Sequence, residues 1–84
     1  MVKFSLLVKN CSDKDLKLVV EPSADEYTLG ANQDVLIHAQ GPVKDPQTDR
    51  LQFDYSDRQI TIYGWAHSSV RVDGPPNRPI FWTK

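Results

Sequence analysis

The chain of 84 residues holds one cysteine, Cys11, so no disulfide can close within it and its stability must come from packing. An unpaired thiol suits a reducing compartment. Methionine is limited to Met1, and His38 and His67 are the only imidazoles. These three segments are far apart in sequence and lack metal-ligand spacing. A copper site of the cupredoxin kind would need a Cys, a His and a Met gathered near the C-terminus. No metal and no cofactor is expected. The four glycines never pair in a Gly-rich loop ahead of a helix, which argues against a phosphate cradle. Charge of one sign is not in excess: ten basic and eleven acidic residues leave a net charge of -1. They interleave along the chain, whereas a nucleic-acid binder needs a basic stripe, so no nucleic-acid partner is expected. No apolar run approaches the roughly 20 residues that span a bilayer. The Met1 to Val8 stretch is too short and too alternating for the apolar region of a secretory signal. The expectation is a soluble, cytoplasmic protein with no membrane partner.

Period-two alternation is what the chain has in quantity. Phe4, Leu6 and Val8 alternate with Lys3, Ser5 and Lys9, and Leu16, Leu18 and Val20 flank Lys17. Val35, Ile37 and Ala39 form another such run, as do Leu51, Phe53 and Tyr55, then Ile60 and Ile62, then Val70 and Val72. Turn formers separate these runs, which is the pattern of short half-buried strands. The polar stretch Asn10 to Asp15 predicts a hairpin turn, because Asn, Ser and Asp side chains bond their own backbone. Glu21-Pro22 ends the second strand, since proline cannot donate to a ladder. Gly30-Ala31-Asn32 predicts a reversal, and Ser56-Asp57 predicts the tightest hairpin of the chain. Gly41 to Asp49, polar with two prolines, reads as the longest and most mobile connection. Ile80-Phe81-Trp82 closes the sheet. No window sustains helical apolar spacing. The prediction is a single all-β domain over residues 1–84, a compact antiparallel sandwich or barrel of about six to eight short strands with little or no helix.

Residues with chemistry are scattered. His67-Ser68-Ser69 sets a base beside hydroxyls, but neighbouring strand residues point to opposite faces and no third group orients the imidazole. Asp25-Glu26, and Asp54 with Asp57, lie beside turns as solvated acids. Pro76-Asn77-Arg78-Pro79 has the spacing of a polyproline II ligand and reads as a rigid lead into the last strand. Aromatic residues are the richer signal. With Ile60 and Ile62 facing the core, Tyr63 and Trp65 point outward as an interface strip, unless Gly64 bulges and turns Trp65 inward. The structural reading, in which the aromatics close one end of the domain, is favoured, because a short chain without a disulfide needs its large side chains for burial.

The motif Leu16-x-Leu18-x-x-Glu21-Pro22, followed by Glu26-Tyr27-x-Leu29 and Val35-x-Ile37, resembles a family of small bacterial all-β proteins of similar length. Ile60-Thr61-Ile62-Tyr63-Gly64-Trp65 leading into Ser69-Val70-x-Val72-Asp73-Gly74 carries the likeness through the second half. The resemblance implies a β fold in a bacterial cytoplasm and transfers no activity.

The functional expectation is a non-enzymatic binding or structural module. Its partner would be another protein or a second copy, met through a sheet edge or the Tyr63 and Trp65 strip. The alternative is a small-ligand or carbohydrate binder that stacks a ring on Trp65 or Trp82, with Asp54, Arg58 or Arg71 fixing polar groups. Tyr63, Trp65, Trp82 and Arg71 are the candidate binding residues.

Overall fold

A computed structural model describes residues 1–73 and, as backbone, residues 81–83. The Pro76 to Pro79 spacing lies outside the described residues. Eight strands form and no helix is present among the described residues: β1 (Val2–Lys9), β2 (Leu16–Glu21), β3 (Asp25–Leu29), β4 (Asp34–Gly41), β5 (Gln52–Ser56), β6 (Gln59–Tyr63), β7 (Ser69–Asp73) and β8 (Phe81–Thr83). They make two open sheets, ordered β1-β4-β7 and β5-β6-β2-β3-β8. The all-β architecture is thus a sandwich rather than a closed barrel. Every pairing is antiparallel except that of β2 with β6, where Leu18 meets Ile60 and Val20 meets Ile62 in parallel.

Alternation decides which face of each strand turns inward. In β4, Val35, Ile37, Ala39 and Gly41 are buried while Leu36, His38 and Gln40 lie on the other face. On the opposing sheet, Leu16, Leu18 and Val20 of β2 register with Leu29 and Tyr27 of β3 and with Ile60 and Ile62 of β6. Leu18, Leu29, Val35, Ile37 and Ile62 are the largest fully buried side chains among these. Each such Leu or Ile buries enough apolar area that truncation to Ala costs about 2–5 kcal/mol. β2 is the middle strand of five, so Val19 on its outer face is also buried.

The sheets differ in width, and this exposes residues that alternation assigns to the interior. Strands lie about 4.8 Å apart, so five of them overhang three by roughly two strand widths. Phe53 and Tyr55 of β5 share the inward face with Ile62 and Ile60 by register. They are nevertheless 40% and 66% exposed.

The Asn10–Asp15 hairpin is corrected by the structure. β1 pairs with β4, β2 pairs with β3 and β6, and the segment between β1 and β2 carries the chain from one sheet to the other. Its polar residues serve a buried tie instead of a two-stranded turn. Asn10 is 4% exposed, and its amide nitrogen donates to Lys14 O (2.7 Å), Leu29 O (3.0 Å) and Gly30 O (3.1 Å). Its Oδ1 accepts from Ser12 N and Ser12 Oγ. Two backbone bonds, Asn10 N to Gln33 O and Asn32 N to Asn10 O, complete the junction. The Gly30 to Gln33 reversal therefore also crosses between sheets, with Gln33 Oε1 accepting from Gly30 N.

The β5–β6 hairpin is as tight as expected. Ser56 pairs with Gln59, leaving a two-residue loop in which Asp57 (φ 49°) and Arg58 (φ 63°) are both left-handed. That is the backbone of a type I′ turn, which matches the twist of the flanking strands. The connection after β4 has a frame of its own. Asp49 Oδ2 accepts from Lys44 N and Asp45 N, and Asp45 accepts from Gln47 N, Thr48 N and Asp49 N.

Candidate functional site

Three surfaces bring together residues with binding chemistry. The first lies where the β2–β3 turn faces the segment joining β6 to β7. β6 ends at Tyr63, and Gly64 begins a turn that folds Trp65 back onto the sandwich. Ser68 Oγ organises it, accepting from Trp65 N (2.9 Å) and donating to Trp65 O (2.7 Å), while Ser68 N also donates to Trp65 O. Gly64 is needed for space and not for unusual φ: a Cβ there would lie 2.5 Å from Ser68 Oγ. Gly41 is needed likewise, since its Cβ would meet Ser68 Cα at 2.7 Å. The turn also holds His67 at φ 65°, so His67, Ser68 and Ser69 are turn and strand-start residues.

Trp65 consequently faces inward and is 8% exposed. Its ring stacks on Phe4, with centroids 6.2 Å apart and planes 10° from parallel, and its Nε1–H donates to Pro42 O at 2.7 Å. Tyr63 remains 39% exposed on the outer face of its sheet. Of the two orientations the sequence allows, Trp65 takes the inward one and Tyr63 the outward one, because the strand ends at Gly64 and the chain turns. Tyr63 and Trp65 still share one feature: with Val20, Pro22, Ser23 and Val70 they line a cleft of about 690 Å³. That volume lies within the range of small-molecule sites, about 300–1,000 Å³. The Glu21-Pro22 peptide at its rim is cis.

The second surface is the outer face of the three-stranded sheet. Register places Lys3, Gln40 and Ser69 in one cross-strand row and Ser5, His38 and Arg71 in the next. Ser5 Oγ lies 2.7 Å from His38 Nδ1, His38 Nε2 lies 3.2 Å from Asp73 Oδ2, and Arg71 Nη2 lies 3.1 Å from the same oxygen. With the ring neutral and Nε2–H donated to the carboxylate, Nδ1 accepts the Ser5 hydroxyl. This is a hydroxyl–imidazole–carboxylate chain, with the two ring nitrogens exchanged relative to serine hydrolases. Arg71 shares the carboxylate. Arg71 is thus in a polar cluster on a different face from Tyr63. Trp82 sits in β8 opposite Tyr27 by register, and its side chain lies outside the described residues.

Sequence reasoning missed the His38 cluster. Its members are the polar halves of the alternating runs in β1, β4 and β7, and only the register of those runs shows that they meet. The third surface is formed by two of the four edge strands, β1 of the narrow sheet and β5 of the wide one, the other two edges being β7 and β8. β1 leaves one side of an eight-residue strand unpaired, with Val2, Leu6 and Leu7 exposed. All five residues of β5 are exposed.

Among the described residues no group of three or more His, Cys, Asp or Glu gathers to hold a metal, and no helix is long and apolar enough to cross a membrane. No family model, curated protein or solved structure matches the chain.

Proposed function

We propose that this chain is a non-enzymatic binding module that associates with a second copy of itself through its free strand edges. The observation that carries the reading is the complementarity of β1 and β5. β1 bears Lys3 and Lys9 and no acid; β5 bears Asp54 and no base. Both also present exposed apolar side chains, Val2, Leu6 and Leu7 on β1 and Phe53 and Tyr55 on either side of Asp54. An unpaired strand edge is a template for further pairing, and lysines alone blunt it only against like-charged partners. Antiparallel addition of β5 from one copy to β1 of another, with Lys3 opposite Asp54, sets Phe4 opposite Phe53 and Val2 opposite Tyr55. The faces then match along the whole junction. Such a contact is heterologous, so it builds oligomers beyond a dimer as concentration rises.

Sedimentation velocity over a wide concentration range tests this. The weight-average mass is expected to climb above that of the 9.6 kDa monomer. Asp54→Lys should suppress the climb, and the double exchange Lys3→Asp with Asp54→Lys should restore it. A strictly monomeric protein at millimolar concentration sinks the reading.

A second reading, a small-ligand or carbohydrate binder, is favoured by the cleft beside Tyr63. Stacking on an exposed aromatic ring with Ser23 and Ser69 as polar contacts suits a neutral ring ligand. A saccharide and fragment screen by NMR that moves no amide of Tyr63, Trp65 or Ser69 removes it.

A further inference from the structure

The outer face of the three-stranded sheet carries a shallow cleft of about 440 Å³, lined by Lys3, His38, Ala39, Gln40, Ser69 and Arg71. We infer that this cleft is a binding site for a small phosphate-bearing ligand, inorganic phosphate or a phosphomonoester, and that it shares Lys3 with the self-association proposed above.

Its lining holds two permanent cations and no carboxylate. The one nearby acid, Asp73, lies a row beyond, beside Leu36, on the far side of the imidazole. From there it does two things. It accepts from Arg71 Nη2 at 3.1 Å, which fixes one corner of the guanidinium and leaves its other N–H groups unengaged among the described residues. It also holds His38, whose second nitrogen is taken by Ser5, so the ring forms a braced wall. Lys3 Nζ, the Gln40 amide and the Ser69 hydroxyl make no side-chain hydrogen bond or ion pair among the described residues, and all three lie in one cross-strand row.

The cluster therefore offers a guanidinium fork held at one corner by Asp73 and, without partners among the described residues, an ammonium, an amide N–H₂ and a hydroxyl donor around one concavity. Four oxygens in a tetrahedron match four such donors better than a planar carboxylate does, and a guanidinium prefers the bidentate geometry a phosphate provides. Exposed charge pairs contribute little singly, so binding needs the row to act together and weakens as salt rises.

Phosphate titration followed by amide and Arg side-chain NMR tests the assignment, at fixed low ionic strength. Saturable shifts confined to Lys3, Gln40, Ser69 and Arg71 are expected, with acetate binding several-fold more weakly at equal ionic strength. Arg71→Met should lower phosphate affinity about fivefold or more, the effect of about 1 kcal/mol. Arg50→Met, in the connection before β5, should leave it unchanged. Ser69→Ala, which removes a donor and no charge, should also weaken phosphate binding, and this separates a shaped site from a diffuse basic surface. Shifts spread over all lysines and arginines, equal responses to phosphate and acetate, or unchanged affinity in Arg71→Met each overturn the inference. Neither Arg71 nor Ser69 lies on β1 or β5. Loss of phosphate binding in Arg71→Met or Ser69→Ala at unchanged sedimentation, and loss of association in Asp54→Lys at unchanged phosphate affinity, keep the two readings distinguishable although both engage Lys3.

Discussion

Asn10 is the best place to test whether the two sheets are tied by a polar junction. Its carboxamide has two N–H protons shared among three carbonyl oxygens, those of Lys14, Leu29 and Gly30, so at least one is bifurcated. Asn10→Ala removes those donors and the acceptor used twice by Ser12. A net hydrogen bond contributes about 1 kcal/mol, and the substitution removes all three donated contacts together. The expected loss is about 3 kcal/mol. A domain of 84 residues has roughly 4–13 kcal/mol in all, so this is a large share. Asn10→Asp is the sharper variant because it keeps size and shape. It would aim a carboxylate oxygen at three carbonyl oxygens, and it should cost about 4 kcal/mol or more, exceeding Ala despite the closer fit. That acid's folded pKa would be raised, so its penalty is full at neutral pH and shrinks as pH falls toward the ordinary Asp range. Urea unfolding measures both: at a slope of about 1–2 kcal/mol per molar, the Ala midpoint should drop by about 2 M. An Asp variant more stable than the Ala variant at neutral pH, or either within about 0.5 kcal/mol of the parent, refutes the tie.

Arg58 sits left-handed in a position that suits glycine, yet its guanidinium donates to Asp15 O, Ser12 Oγ and Lys14 O. Relief of about 1 kcal/mol of strain in Arg58→Gly should be outweighed by those lost bonds, leaving the variant about 1 kcal/mol less stable by urea midpoint, and a more stable Gly variant contradicts the role. Trp65→Phe keeps a ring beside Phe4 but strands Pro42 O, and should cost about 1–3 kcal/mol in thermal unfolding while leaving the far hairpin's NMR shifts unchanged. Gly41→Ala drives a methyl against Ser68 Cα, and should move the amides of residues 64–68 and cost about 1–3 kcal/mol, whereas unmoved amides would show the packing to be looser than described. The backbone N–H of Asp45, then that of Lys44, holds the Asp49 carboxyl below its ordinary 3.8. A lowered acid contributes its stability above the unfolded value and loses it as pH falls through the folded one. Amide shifts of Lys44 and Asp45 should therefore hold steady through mild acid and change together only below the ordinary Asp range.

What the chain spells out by itself is local. Period-two runs such as Val35-Ile37-Ala39 fix strand identity and facing, because a strand alternates whatever it pairs with. Ser56-Asp57-Arg58-Gln59 fixes a hairpin, because two polar residues between alternating runs have few other closures. Proline after Glu21 ends a strand for the same kind of reason. Pairing is a different matter. Nothing in Asn10 to Asp15 separates a hairpin from a crossing, since the same side chains that cap a turn can bond carbonyls nineteen or twenty residues away. Phe53 and Tyr55 read as core, and their facing was right. Only the unequal width of the sheets leaves them uncovered. The aromatic pair was legible as a candidate, but Trp65 turns inward because Ser68 and Gly41 shape the loop around it. The cluster at His38 was invisible, because Lys3, Ser5, Gln40, Ser69 and Arg71 are ordinary outward residues until three strands align. Alternation is a property of each strand and survives in the one-dimensional text; register and sheet width belong to relations between strands, and those exist only once the chain has folded.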